Sequence, residues 1–184
     1  MQRSALWLVL LLLASPASAA ENPAQHNSTP PAQAPAQAIN RLGSAQGWET
    51  FSEAGKEKIC YLIGKPSKTE PANAKRSAVF ASVTHRPGEK RTNEVSFIAG
   101  YLFKEGSDAE LTVDSKKFTL FTNKDGAWAR DAATDKAVVD ALAKGKQAVI
   151  KGTSARGTAT TDTYTLAGFS QALDQIDKAC NVKR

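Results

Sequence analysis

TLAGFSQALDQIDKAC, residues Thr165 to Cys180, is the stretch from which the fold of this chain is read. Phe169, Ala172, Leu173 and Ile176 recur at i, i+3, i+4 and i+7, the spacing of one face of an α-helix. At about 100° per residue Cys180 returns to that same apolar face. Gln171, Asp174, Gln175, Asp177 and Lys178 fall on the polar side. A helix that ends with a cysteine on its buried side is expected to be tied to something, and the chain has one other cysteine, Cys60. One intramolecular pairing is therefore available, Cys60 with Cys180. It would join the start of the fold to its end, and closing so long a loop stabilises by about 4–5 kcal/mol. Two free thiols, or pairing between chains, are the alternatives left open at this point.

The N-terminal residues carry the marks of a secretory signal. Arg3 is a short basic region, Ala5 to Ala14 an apolar run, and Ala17-Ser18-Ala19 a cleavage site, with cleavage expected after Ala19 or Ala20. Ten apolar residues are too few to cross a bilayer core, which needs roughly 20. The expected organisation is a signal peptide over 1–19, a disordered tether over 20–46 and a single domain over 47–184. The tether is rich in Pro, Ala and Gln, with Ile39 and Leu42 as its sizeable apolar residues, too little surface to offset the entropy of ordering. It reads as a spacer rather than a Pro-rich ligand. Export puts the chain in the periplasm or outside the cell, where a disulfide persists.

Within the domain most signals are strands. Trp48 to Phe51 is a first strand. Lys58 to Ile63 is a second, apolar on both faces and so expected to be internal and buried on both sides. Pro66 to Lys75 reads as a polar loop. Ala78 to Thr84 and Glu94 to Phe103 follow, the latter bent or bulged at Gly100. Glu110 to Val113, Lys117 to Thr122, Gln147 to Lys151 and Asp162 to Leu166 complete the set. A helix is inserted late, over Thr134 to Lys144, with Thr134 as its N-cap and Gly145 as its stop. Short strands between turn signals, without regular β-α alternation, predict a mainly β fold. The expected form is an antiparallel, immunoglobulin-like β-sandwich with one inserted and one C-terminal helix.

Chemistry is scarce in the sequence. His85 is the domain's one histidine, and at the border of a turn it reads as an exposed loop residue. Gly152-Thr-Ser-Ala-Arg156 has arginine where a nucleophile elbow needs glycine. In Gly64-Lys-Pro-Ser67 the proline removes an N–H that a phosphate cradle uses. Two cysteines and a remote histidine do not make a metal-ligand set. The expectation is no enzyme, no cofactor and no metal. Charge says more. Without Arg3, 23 of the 24 Lys and Arg remain against 18 Asp and Glu, and Lys56 to Arg91 holds nine basic residues and three acids. Lys65, Lys68, Lys75, Arg76, Arg86, Lys90 and Arg91 are the candidate surface for an anionic partner, either a lipid or lipopolysaccharide surface or an acidic protein. Ordinary solvated lysines that never form one patch would give the same count. Nucleic acid is disfavoured by the address and by the lack of aromatics among these residues.

Several features coincide. A Trp-led first strand follows a secretory signal, and a cysteine lies in an apolar second strand. A short helix ending at Gly145-Lys146 runs into a strand, and Leu166-Ala-Gly168-Phe169 is followed by Ala172-Leu173 and a terminal cysteine. Over Gly47 to Cys180 the chain thereby resembles the invasion-associated locus B family of bacterial envelope proteins. The resemblance implies an exported, disulfide-bearing β-sandwich-like domain of Gram-negative alphaproteobacteria. Some members of that family are associated with virulence and host-cell invasion. It implies no catalytic residues, the Cys60–Cys180 bridge, and Gly168-Phe169 as the start of a docked helix. The expected function is a monomeric, non-enzymatic protein of the envelope or host interface that binds an anionic surface or a protein partner. The alternative is a periplasmic inhibitor or assembly chaperone that uses a sheet edge.

Overall fold

The computed structural model describes residues 38–184 apart from positions 56 and 73. The expected signal peptide, and the tether as far as residue 37, lie outside the described residues. Eleven strands and two helices follow one another: β1 (Ala38–Ala45), β2 (Trp48–Ala54), β3 (Ile59–Gly64), β4 (Lys68–Glu70), β5 (Phe80–Arg86), β6 (Arg91–Ile98), β7 (Asp108–Val113), β8 (Lys116–Asn123), β9 (Gly126–Trp128), α1 (Ala132–Lys144), β10 (Gln147–Thr153), β11 (Ala159–Thr165) and α2 (Phe169–Cys180). The strands make one continuous antiparallel sheet in the order β1-β2-β3-β5-β6-β9-β8-β7-β10-β11-β4. The fold is mainly β and sandwich-like, as the strand signals predict.

A sheet of this width buries its apolar face by curling back on itself. Trp48 on β2 meets Tyr164 on β11, strands near opposite ends of the order, with ring centroids 6.4 Å apart. Phe97 on β6 packs edge-on against the same tyrosine at 5.7 Å. The Trp48 indole N–H donates to the Thr165 carbonyl at 3.2 Å, so the polar atom of a 3% exposed tryptophan is satisfied across the closure. Helix α2 lays Phe169, Ala172, Leu173, Ile176 and Cys180 on the sheet, each buried, over β1, β2, β3 and β5, while α1 covers β6. The periodicity read from Thr165–Cys180 is the face that packs. Gly168 precedes that helix with φ +80°, and a Cβ there would sit 2.5 Å from the Ala45 carbonyl oxygen. The close approach and the left-handed backbone both require glycine.

Five expectations are corrected. Ala38–Ala45, assigned to the tether, is a strand paired with β2 and bulged between Arg41 and Gly43. At the sheet margin it needs few apolar residues, because one ladder and a helix laid over part of its face hold it. Lys68–Glu70, inside the expected polar loop, is a three-residue strand on β11. The strand expected to continue through Gly100 to Phe103 stops at Ile98. Gly100 has φ +70°, and a Cβ there would meet the Ser77 carbonyl oxygen at 2.7 Å, so the bend at Gly100 ends the strand rather than kinking it. Helix α1 begins two residues before Thr134, and its cap is Asp131, whose carboxylate accepts the Thr134 N–H at 2.7 Å. Gly145 closes it, donating to Ala141 O at 2.8 Å. Strand β3 is internal, between β2 and β5, and Cys60, Leu62 and Gly64 are buried. Its other face is only half covered, by pairs such as Tyr61 stacked on Phe51 at 5.3 Å.

Candidate functional site

Cys60 and Cys180 form a disulfide with Cα atoms 6.0 Å apart and 120 residues between them in sequence. It clamps the last residue of α2 to β3. Directly across the β3–β5 ladder from Cys60 stands His85, and here the expectation of an exposed loop residue is wrong. Strand β5 runs on past Thr84 to Arg86, which carries His85 into the interior at 0% exposure. Its Nδ1 accepts the Asn93 backbone N–H at 3.0 Å, so the ring proton sits on Nε2 and is donated to the Asp177 carboxylate at 2.8 Å. Asp177 also accepts from Arg184, Nε to Oδ2 at 2.5 Å, and Arg184 reaches on to Asn93 Oδ1 at 2.8 Å. Burial works to raise the Asp177 pKa, but the hydrogen bonds from His85 and Arg184 outweigh it and hold the carboxyl below its ordinary value. Asp177 thus serves both His85 and Arg184, and Asn93 bonds to both as well, so the residues that follow α2 are tied to β5 and β6.

The seven basic residues do not form one patch. Gly64, next to Lys65, pairs with Ala81 at the start of β5, whereas the Arg86–Arg91 turn lies past its other end, about 20 Å away. Lys68 pairs with Glu70 at 2.7 Å. Arg86 and Arg91 share Glu89 and Glu94. Arg76 is the clear correction: its side chain is 6% exposed and holds Asp162 in a two-pronged ion pair, at 2.8 and 2.6 Å. It is part of the interior. Lys65, Lys75 and Lys90 remain exposed.

A family model described as "Invasion associated locus B (IalB) protein" matches residues 48–177, from Trp48 of the sheet closure to the buried Asp177. The chain belongs to the invasion-associated locus B family. A search of curated proteins and a search of solved structures each found no match. Among the described residues of this family member no helix is long and apolar enough to cross a membrane.

Two outer surfaces of this invasion-associated locus B domain present unspent chemistry. The first is the margin of the sheet at β1. The strand is exposed along most of its length, with Ile39 61% and Leu42 40% exposed, and its single charge, Arg41, is committed to Glu49 at 3.0 Å. The second is a groove of about 750 Å³ at the end of the sheet where three loops meet. Pro71, Ala74, Lys75 and Arg76 line it from one loop, Gly100, Tyr101 and Leu102 from a second, and Ser154, Ala155, Arg156 and Thr158 from a third, with Tyr101 and Thr160 joined hydroxyl to hydroxyl at 2.6 Å. Neither surface is legible in the sequence, because β1 reads as tether and Arg156 lies 65 residues beyond the basic run.

Proposed function

We propose that the chain is an exported, non-enzymatic protein of the envelope or host interface that binds a protein partner through the open side of β1. The observation that carries this is the margin itself. Edge strands expose unpaired N–H and C=O groups, and monomeric proteins usually blunt them with charge, proline or brevity. Strand β1 is eight residues long and has no proline, its one charge is already paired, no described strand lies on its far side, and its one bulge, between Arg41 and Gly43, leaves Ala38 to Arg41 in regular register. Ile39 and Leu42 add apolar side chains at a site that an extended segment of another protein would cover by strand addition. Membership of the invasion-associated locus B family supports the address, and the disulfide supports an oxidising compartment. An inhibitor or assembly chaperone would use the same edge; a stoichiometric complex with one exported client would favour that version.

The test is site-specific photo-crosslinking in exported protein. A probe at Leu42 is expected to trap a discrete partner, and Ile39→Lys is expected to abolish the adduct. A probe at Ser115, in the β7–β8 turn away from the β1 margin in the strand order, should trap nothing. Equal labelling from both positions, or none from Leu42, would overturn the proposal.

A further inference from the structure

The loop groove at the end of the sheet is built rather than incidental. The Ala155 N–H donates to Leu102 O at 2.7 Å, Lys104 N–H to Thr153 O at 2.9 Å, and Ser77 N–H to Gly100 O at 2.9 Å, so the three loops are tied together backbone to backbone. The Arg76–Asp162 pair lies beneath them, with the guanidinium 5.9 Å from the centre of the Tyr101 ring. On this fixed base Leu102 is 62% exposed, more than any other large apolar residue among those described. Pro71 and Ala155 beside it are exposed as well. Lys75 and Arg156 flank them, and the described lining contains no carboxylate, Asp162 being spent on Arg76 behind it. Outside the lining, the backbones of Lys104 and Lys124 are bonded to Thr153 and Phe103 at the same end, with Glu105 and Asp125 next to them in sequence.

We propose that this groove docks the chain on the surface of a membrane rich in anionic phospholipid, independently of any partner held at β1. An exposed apolar tip flanked by cations is an arrangement that enters a headgroup layer: Leu102 meets the acyl boundary while Lys75 and Arg156 meet phosphates. A soluble acidic peptide fits less well. It would need backbone partners, and the sheet margin on this side, β4, offers only three residues, Lys68–Glu70. It would also leave Leu102 in water.

Vesicle co-sedimentation of the exported chain tests this. Vesicles of phosphatidylcholine alone are compared with vesicles that also contain phosphatidylglycerol, at low and high salt. Binding is expected only to the anionic vesicles and is expected to weaken as salt rises. Lys75→Ala and Arg156→Ala should each weaken it about fivefold, the loss of one cation near an anionic surface. Leu102→Ser should weaken it without changing its salt dependence, and Lys116→Ala, at the other end of β8, should leave it unchanged. All four positions are exposed, so the variants should keep the parent's melting temperature, which checks their folding. No binding at low salt, equal binding to phosphatidylcholine, or an equal loss with Lys116→Ala would overturn the proposal. So would displacement by polyglutamate with Leu102→Ser silent, which would assign the groove to an acidic protein.

Discussion

Removing the disulfide is the perturbation with the largest expected effect. The bond closes a loop of 120 residues, so in the chain-entropy treatment its loss frees the unfolded state by about 5 kcal/mol. That rivals the entire stability of many domains, which lies at about 5–15 kcal/mol. At roughly 2 cal/mol/K of unfolding entropy per residue, a domain of this size should lose about 15 °C in melting temperature. The comparison is between the oxidised chain and a Cys60→Ala/Cys180→Ala variant, followed by circular dichroism and calorimetry. Both cysteines are buried, at 0% and 4% exposure, so dithiothreitol should act on the native chain slowly and only as α2 opens. The loss should appear first in α2, whose amides should exchange faster than those of β7 and β10. A drop of less than about 5 °C, or uniform loosening, would refute the view of α2 as a clasp held by Cys180.

Three further outcomes follow from buried or half-buried polar groups. Asp162→Ala strands the Arg76 guanidinium in the interior and should cost about 3–5 kcal/mol by denaturant titration; a cost near zero would mean that Arg76 swings out to water. Asp135 accepts the Val95 N–H at 2.8 Å, and burial pushes its pKa up to about 6, against the opposing pull of that hydrogen bond. A raised carboxyl pKa favours the protonated, folded form, so this contribution is complete below about pH 4 and is lost as pH rises through about 6. Asp135→Asn, which keeps an acceptor for Val95, should therefore gain stability relative to the parent at pH 7.5 by on the order of 1 kcal/mol, discounted for partial exposure. The gain should vanish near pH 4, and a gain independent of pH would contradict the assignment. The buried Tyr164 hydroxyl has no hydrogen-bond partner among the described residues, and burial drives its pKa far above the ordinary phenol value. Tyr164→Phe should be neutral or stabilising by up to about 1 kcal/mol in thermal melts, while a loss above about 2 kcal/mol would reveal a bond to solvent.

Local pattern carried the sequence reading as far as local pattern reaches. The stripe Phe169–Ala172–Leu173–Ile176–Cys180 is a one-dimensional signal, and it identified the helix, its packed face and the pairing of its cysteine. Asp177 shows the limit. A charged residue reads as polar side, yet at about 100° per residue Asp177 borders the apolar stripe beside Leu173, and its partners His85 and Arg184 lie 92 residues and seven residues away. His85 is hidden in the sequence for a related reason: one more residue of strand turns a loop side chain into a core one. Arg76 looked like surface charge because its partner Asp162 is 86 residues distant. Strand β1 leaves little sequence signal because a margin strand needs few apolar residues, and β4 because three residues carry no period. Charge counted along the chain gave an excess between Lys56 and Arg91. Folding divides that excess between two ends of the sheet and spends all three of its arginines on carboxylates.

The central functional claim is that β1 is the partner-binding margin, and hydrogen exchange tests it residue by residue. Exchange is measured on the exported chain alone and in complex with the protein trapped from Leu42. The claim predicts that slowing on binding concentrates in Ala38–Ala45, because a strand added there engages amides that otherwise face water. Unchanged exchange in β1, with protection gained elsewhere on the sheet, would contradict it.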